Sequence, residues 1–414
     1  MPPPAVVKIP MQMHIGSPAI PVVKVGDEVK VGTLIGKAGE RLSSPVYSSV
    51  SGKVKKIEES KNARSSSLFV VIESDGLSSV CEDIVPPKIT SKEEFIEAVK
   101  KSGTVGLGGA GFPTYAKLNV PDGKIDTIVV NGAECEPYIT SDTQTMINEP
   151  DDIMLGLEAL MKYLNVPRAV IGIEKNKPEC IKIMSEKAAG RDIKVHALPS
   201  VYPQGGEKVL VYNTLGRIIK EGKLPLDEGV IVINCSTLAA ISKYMKTGMP
   251  LVEKCITVDG SAVKDPSVVI APIGAMVSDI IEFCGGYKSE PKKILFGGPM
   301  MGTASADLDA PIVKQTNAII ALDAIDAVEK KVIACIRCGK CAAACPIALS
   351  PFEIGEALEM KKPEKLEKLK AGLCMECGCC SYVCPAGREI VMQNKLAKTM
   401  LREYNSKKTE GGKK

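Results

Sequence analysis

Eight of the fifteen cysteines fall into two copies of one run, Cys335-x2-Cys338-x2-Cys341-x3-Cys345-Pro346 and Cys374-x2-Cys377-x2-Cys380-x3-Cys384-Pro385. Thiolates three residues apart on a tight loop can each take one iron of the same cube, and this is the spacing that ligates a 4Fe–4S cluster. Disulfide frameworks do not require it, and zinc sites usually join two separate Cys-x2-Cys pairs. Two such clusters move electrons one at a time. Where two runs lie in tandem, the fourth cysteine of each ligates the other cluster. By that rule Cys384 completes the Cys335, Cys338 and Cys341 site, and Cys345 completes the Cys374, Cys377 and Cys380 site. The intervening segment Pro346–Leu373, expected to be helical over Glu353–Met360 and Glu364–Ala371, is long enough to leave uncrossed ligation open. Cys379 is out of step with its neighbours and is expected to pack beside a cluster. Cys81, Cys135, Cys180, Cys235, Cys255 and Cys284 are scattered and read as small buried apolar residues.

A second chemistry-bearing stretch is Gly106-Leu107-Gly108-Gly109-Ala110-Gly111-Phe112-Pro113-Thr114. Without Cβ atoms, its glycines let the backbone approach a phosphate or the face of a flat ring. Lys117 follows three residues later, where it can meet a phosphate. A lone Gly-x-Gly-x-x-Gly is weak evidence, and the plain alternative is a glycine-rich turn without a ligand. This version is denser and lies between two helical patterns.

The elements that must position these residues change character along the chain. Residues 1–85 alternate short apolar pairs with turn residues, as in Val25-Gly26-Asp27 and Ser51-Gly52-Lys53-Val54, and read as β structure. From residue 90 to 248 helices and strands alternate. Ser91 with Glu94 makes a capping box, and Ile125–Val130, Ala169–Ile173, Lys194–Leu198 and Gly229–Asn234 read as strands. Helical faces fall at Ile153–Leu164 and Cys180–Ala189. That is the grammar of a parallel sheet with crossover helices. Ligands in such sheets sit beyond the carboxyl ends of the strands. Asn131 and Glu134 stand at one such end, and Tyr202-Pro-Gln-Gly205-Gly206-Glu207 and Asn234-Cys-Ser-Thr237 at two others. A solvated loop is the alternative for these charged residues. Residues 249–315 return to short strands, the cysteine-rich part spans 325–400, and 401–414 is polar and expected to be disordered.

Composition excludes several classes. A net charge of +4 spread evenly, with six Phe, ten Tyr and no Trp, does not suit nucleic acid. The N-terminus lacks the order of a signal peptide, and no apolar run reaches the ~20 residues of a spanning helix. Free thiolates in this number suit a reducing cytoplasm.

Together, GLGGAGFPT, NGAECEP, YPQGGE and NCSTLA resemble the flavin subunit of respiratory complex I, which binds FMN and NADH. VKVGDEVKVGTLIG followed by SSPVYSSVSGKVKKI resembles a biotinyl/lipoyl-type hammerhead, without the lysine that carries a prosthetic group, so a docking role is expected. The module order, with MHIGSPAIPVVKVGD, VNGAECEPYITSD and CMECGCCSYVCPA, is similar to the RnfC family over nearly the whole chain. Complex I's flavin subunit has one C-terminal cluster rather than two, and cobalamin reductases of the propanediol-use type place the hammerhead last.

The resemblance implies a multidomain α/β protein. It would comprise a barrel-sandwich hybrid (hammerhead), a Rossmann-like FMN/NADH domain, a β-grasp module, and a helical dicluster ferredoxin-type domain. It implies FMN held by Gly106, Gly108, Gly109, Lys117, Asn131, Glu134, Asn234 and Thr237. Phe112 would lie against the nicotinamide, Glu136 near its carboxamide, and Glu207 toward the adenosine ribose, with Tyr202 and Gly205 in the same cofactor site. Two departures stand out: Gly206-Glu207 replaces a pair of acidic residues, and the N-terminal Gly-Gly-(Ile/Val)-His-Pro segment is absent. A flavin is the required converter between a two-electron hydride donor and one-electron clusters, so no protein residue need be catalytic.

The function expected is the peripheral NADH module of a membrane ion-translocating NAD:ferredoxin oxidoreductase. It would sit on the cytoplasmic side of the membrane, attached through other Rnf subunits, and reach ferredoxin through a partner subunit. The alternative is an electron-relay or docking protein for another reductase. Sodium or proton as the pumped ion, and the direction of flow, stay open.

Overall fold

Short apolar pairs broken by turns give several short strands, which stack beside one long hairpin to bury a core. Val6–Pro10, Ser65–Ser74, Gly52–Asn62 and Glu28–Val29 form one antiparallel sheet in that spatial order, and Ile20–Pro21, Leu34–Lys37 and Val46–Tyr47 form another. Val7, Ile9, Met11, Ile35, Val46, Val70 and Ile72 fill one core. The computed structural model describes residues 1–62, 65–109, 111–305, 307 and 310–411.

The helix–strand alternation that follows folds as its pattern requires. Ile193–Leu198, Ala169–Glu174, Thr127–Asn131 and Val230–Asn234 lie side by side in that order, all parallel. Asn131 and Asn234 are paired across the last two strands, so both stand at the carboxyl edge at the same level. The Lys92–Lys101 helix starts at the Ser91–Glu94 capping box. Helices Pro150–Tyr163 and Cys235–Thr247 pack closely: a Cβ at Gly156 would stand 2.3 Å from the Leu238 carbonyl oxygen. Ile128, Val130, Leu157, Ile171 and Leu238 anchor this core.

Residues 253–322 form a mixed sheet in the order Ser267–Pro272, Glu253–Asp259, Ala318–Leu322, Lys293–Phe296, Thr303–Ser305, with the Val277–Phe283 helix packed on it. Its central pair, Glu253–Asp259 with Ala318–Leu322, is parallel and the others antiparallel, the mixed pairing of a β-grasp-like unit.

All of this belongs to one unit, Met1–Ile219, Lys223–Gly298 and Thr303–Asp323. A second is made of Lys220–Gly222, Pro299–Gly302 and Ala324 onward. The second is helical: Pro351–Glu359, Pro363–Lys368 and the long Ile390–Gly411 pack through Leu349, Ile354, Ala357, Leu366, Ala397 and Leu401. The polar stretch expected to be disordered instead continues the Ile390–Gly411 helix. Residues 412–414 lie outside those described. Among the described residues no helix is long and apolar enough to cross a membrane.

Candidate flavin and cluster sites

The glycine loop is closed by two backbone hydrogen bonds, Gly106 N–H to the Phe112 carbonyl at 2.8 Å and Gly111 N–H to the Gly106 carbonyl at 3.2 Å. Gly109 at φ +139° and Gly111 at φ +63° hold backbone conformations that side chains rarely adopt. The loop rests on the N-terminus of the Cys235–Thr247 helix. A Cβ at Gly108 would come within 3.0 Å of the Asn234 amide nitrogen, and Leu107 N–H donates to Thr237 Oγ1 at 3.1 Å. Asn234 caps that helix, accepting the Thr237 N–H at 3.2 Å and donating to Asp142 Oδ2 at 2.7 Å. A positive helix end, loop N–H groups and an ammonium thus share one rim, a combination suited to phosphate.

The resulting cleft has a volume of about 430 Å³ and gathers Gly106, Gly108, Gly109, Phe112, Lys117, Asn131, Gly205, Glu207, Asn234 and Thr237. Lys117 Nζ is paired with Glu207 Oε1 at 2.8 Å and with the Val232 carbonyl at 3.0 Å. Asn131 donates to the Gly205 carbonyl at 3.0 Å and accepts the Ala133 N–H at 3.1 Å, locking the strand end to the loop after Ile193–Leu198. Ile15 and the Leu224–Leu226 segment also line this cleft. Sequence reasoning did not single them out, because Ile15 lies in a different module and the other stretch carries no polar signal.

Glu134, Glu136 and Tyr202 lie elsewhere, around a second cavity of about 570 Å³ together with Cys135, Glu174, Lys177 and Asp259. The placement of Glu134 departs from the expectation that its carboxylate faces a cofactor. Its oxygens accept from Ser141 Oγ (3.2 Å), Asp142 N–H (2.8 Å), Thr143 N–H (3.1 Å) and Thr143 Oγ1 (2.8 Å), capping the Ser141–Asn148 helix. Burial pushes its carboxyl pKa up, and the neighbouring Asp142 adds to the rise. Glu174 and Lys177 form a buried pair at 2.9 Å beside it. Glu136 rests against the backbone of Gly298, where a Cβ would meet its carboxylate. Among the scattered cysteines, Cys180, Cys235 and Cys284 are buried as expected, whereas Cys81, Cys135 and Cys255 are only partly so. Cys135 accepts the Gly205 N–H at 3.5 Å. This packing role depends on a loop far away in sequence.

In the helical unit the two runs have matching backbones. Arg337 and Glu376, each just before the second cysteine of its run, have φ +52° and +59°, and Gly339 and Gly378, each just after it, have φ +75° and +81°. The thiols gather crosswise: Cys335, Cys338, Cys341 and Cys384 surround one cavity, and Cys345, Cys374, Cys377 and Cys380 the other. Burial pushes the Cys380 thiol up to about 12. Among the described residues no three ligand side chains converge on a single ion. Four thiols round each cavity are the donor set that a cube with one thiolate per iron requires. Cys374 Sγ accepts from Asn394 Nδ2 at 3.7 Å and Cys345 Sγ from Leu349 N–H at 3.3 Å, so the second cavity has hydrogen bonds to its sulfurs. Cys379 lines the same cavity without belonging to the set of four.

Comparison with known proteins follows this division. Residues 1–77 match the RnfC barrel sandwich hybrid domain, 99–243 the Nuo51 FMN-binding domain, 255–304 the SLBB domain and 334–388 the 4Fe–4S dicluster domain. The chain is 43% identical over 348 residues to the C subunit of the proton-translocating ferredoxin:NAD(+) oxidoreductase complex of Clostridium ljungdahlii, covering 83% of this chain and 76% of that one. It is 42% identical to the C subunit of the Na(+)-translocating ferredoxin:NAD(+) oxidoreductase complex of Acetobacterium woodii, covering 89% and 84%. With the C subunit of the ion-translocating oxidoreductase complex of Rhodobacter capsulatus it shares 38% identity, covering 99% and 80%. The chain belongs to the RnfC family. An NAD+-reducing nickel–iron hydrogenase chain shares its fold at 17% identity with a TM-score of 0.52, over 75% of this chain and 63% of that one. In RnfC terms, the cleft of about 430 Å³ lies in the FMN-binding domain and both four-thiol cavities lie in the dicluster domain.

Proposed function

We propose that this chain is the NAD(H)-facing subunit of a membrane ion-translocating NAD:ferredoxin oxidoreductase, passing electrons between NAD(H), FMN and two 4Fe–4S clusters. The observation that carries the reading is the occurrence, on one chain, of a phosphate-suited cleft in an FMN-binding domain and two cavities each ringed by four thiols. When bound, FMN supplies exchange between two-electron hydride and one-electron cluster chemistry.

The chain's own residues bind and orient. The Gly108 and Gly109 N–H groups, the Asn234–Thr237 helix end and Lys117 would hold the phosphate, with Lys117 drawn from its pairing with Glu207. Asn131, Gly205 and Phe112 would border the ring. Glu136 and Tyr202, beyond the strand ends, would meet the nicotinamide nucleotide, and Glu134 would brace the side of that cavity through its helix cap. The subunit would be peripheral on the cytoplasmic face of the membrane, attached through other subunits and reaching ferredoxin through one of them.

Anaerobic reconstitution followed by NADH titration tests this. About one FMN and about eight irons per chain are expected, with NADH bleaching the flavin absorbance and developing cluster EPR signals. A chain that takes up clusters but no FMN, and does not respond to NADH, overturns it in favour of a pure electron relay.

A further inference from the structure

Ile15 belongs to the barrel-sandwich module, yet its side chain lines the flavin cleft and is 49% exposed. Lone exposed apolar residues are common and mean nothing by themselves. Here the surrounding backbone is fixed on both sides. Ile15 N–H donates to the Gly111 carbonyl at 3.0 Å, tying the segment to the end of the glycine loop. His14 turns inward, with Nε2 at 2.9 Å from the Ser17 carbonyl and 3.1 Å from Ser44 N. At Gly16, φ is +118° and a Cβ would fall 2.1 Å from the Leu42 carbonyl oxygen. With His14 buried and Gly16 pressed on Leu42, Ile15 has one direction left.

A second tie holds the same two modules together. The fully buried Lys314 donates to the Pro45 carbonyl and to the Gly103 carbonyl, each at 2.7 Å, and Ser44 Oγ also donates to the Gly103 carbonyl at 3.2 Å. The glycine loop is thereby flanked at both ends, Gly103 and Gly111, by the barrel-sandwich module.

We infer that Ile15 is a wall of the flavin site: its side chain packs on bound FMN and sets the affinity, so that two modules build the site. This rests on the flavin reading above. An apolar side chain already held at the rim loses little freedom when a flat ligand covers it, so its burial adds directly to affinity.

Titration of the full-length, cluster-loaded, flavin-free chain with FMN, followed by flavin fluorescence, tests it. Ile15→Ala removes three carbons from that contact, part of whose area stays exposed. A weakening of about tenfold is expected, with Ile15→Leu restoring near wild-type binding. The melting temperature of the flavin-free Ile15→Ala chain should stay at the wild-type value, since the side chain is half exposed there. Wild-type affinity in Ile15→Ala, or a loss matched by lower flavin-free melting and not restored by leucine, overturns the proposal. A wild-type chain that binds no FMN removes the flavin reading itself and the proposal with it.

Discussion

A lysine with no exposed surface is the least expected residue in the chain, and Lys314 is one. Burial pulls its pKa down to about 7. Its amine satisfies the Pro45 and Gly103 carbonyls. Lys314→Met should strip that donor from both buried carbonyls and cost about 2 kcal/mol, seen as a lower urea midpoint. Unchanged stability would mean that the carbonyls find other donors. Nearby His14 is held neutral, its pKa lowered to about 4 by burial first and by Lys314 second. The unfolded chain therefore binds a proton at this residue from the ordinary imidazole value of 6.5 downward, while the folded chain resists until about pH 4. Stability should fall as pH drops through that window. Urea unfolding across it should show a shallower acid limb for His14→Gln, and an unaltered limb would place the titration elsewhere.

At the scale of elements, close approach of backbones decides what can be changed. Gly108 lies against the Asn234 side chain that caps the Cys235–Thr247 helix, so the loop and the helix end form one surface. Gly108→Val would displace Asn234 and fill the cleft. Loss of FMN uptake with both clusters intact is the expected outcome, read by flavin content against iron content. Gly156→Val would drive a side chain into the Leu238 carbonyl, at 2.3 Å for the Cβ alone. It should lower thermal stability by more than about 2 kcal/mol. Glu134 likewise depends on backbone beyond the next loop. From sequence it is a carboxylate at a strand end, where ligands bind. In the fold its oxygens are taken by the first turn of Ser141–Asn148. The helix that claims it begins beyond the intervening loop, and no local pattern announces that contact.

Across the whole molecule, the sharpest consequence is crossed ligation. Cys345 stands with the thiols of the second run and Cys384 with those of the first. Cys384→Ser should therefore disturb the cluster of Cys335, Cys338 and Cys341, and Cys345→Ser that of Cys374, Cys377 and Cys380. EPR of the two variants, compared with Cys335→Ser and Cys374→Ser, checks it: Cys384→Ser should share its altered signal with Cys335→Ser. Sharing with Cys374→Ser instead would mean that each run keeps its own fourth ligand.

That this protein handles electrons is written in its residue order. Cluster spacing is a local property, because three thiols on one loop need only the right intervals. The parallel sheet was equally legible, since buried strands and amphipathic helices declare themselves by period. Both strand-end asparagines, Asn131 and Asn234, were found this way and are neighbours in the sheet. It took the folded chain to show which thiols share a cavity, that Glu134 caps a helix, that Lys314 is buried, and that Ile15 reaches the flavin cleft. Each of these depends on a contact between residues far apart in the chain or on how a loop turns, and periodicity and spacing carry no information about either.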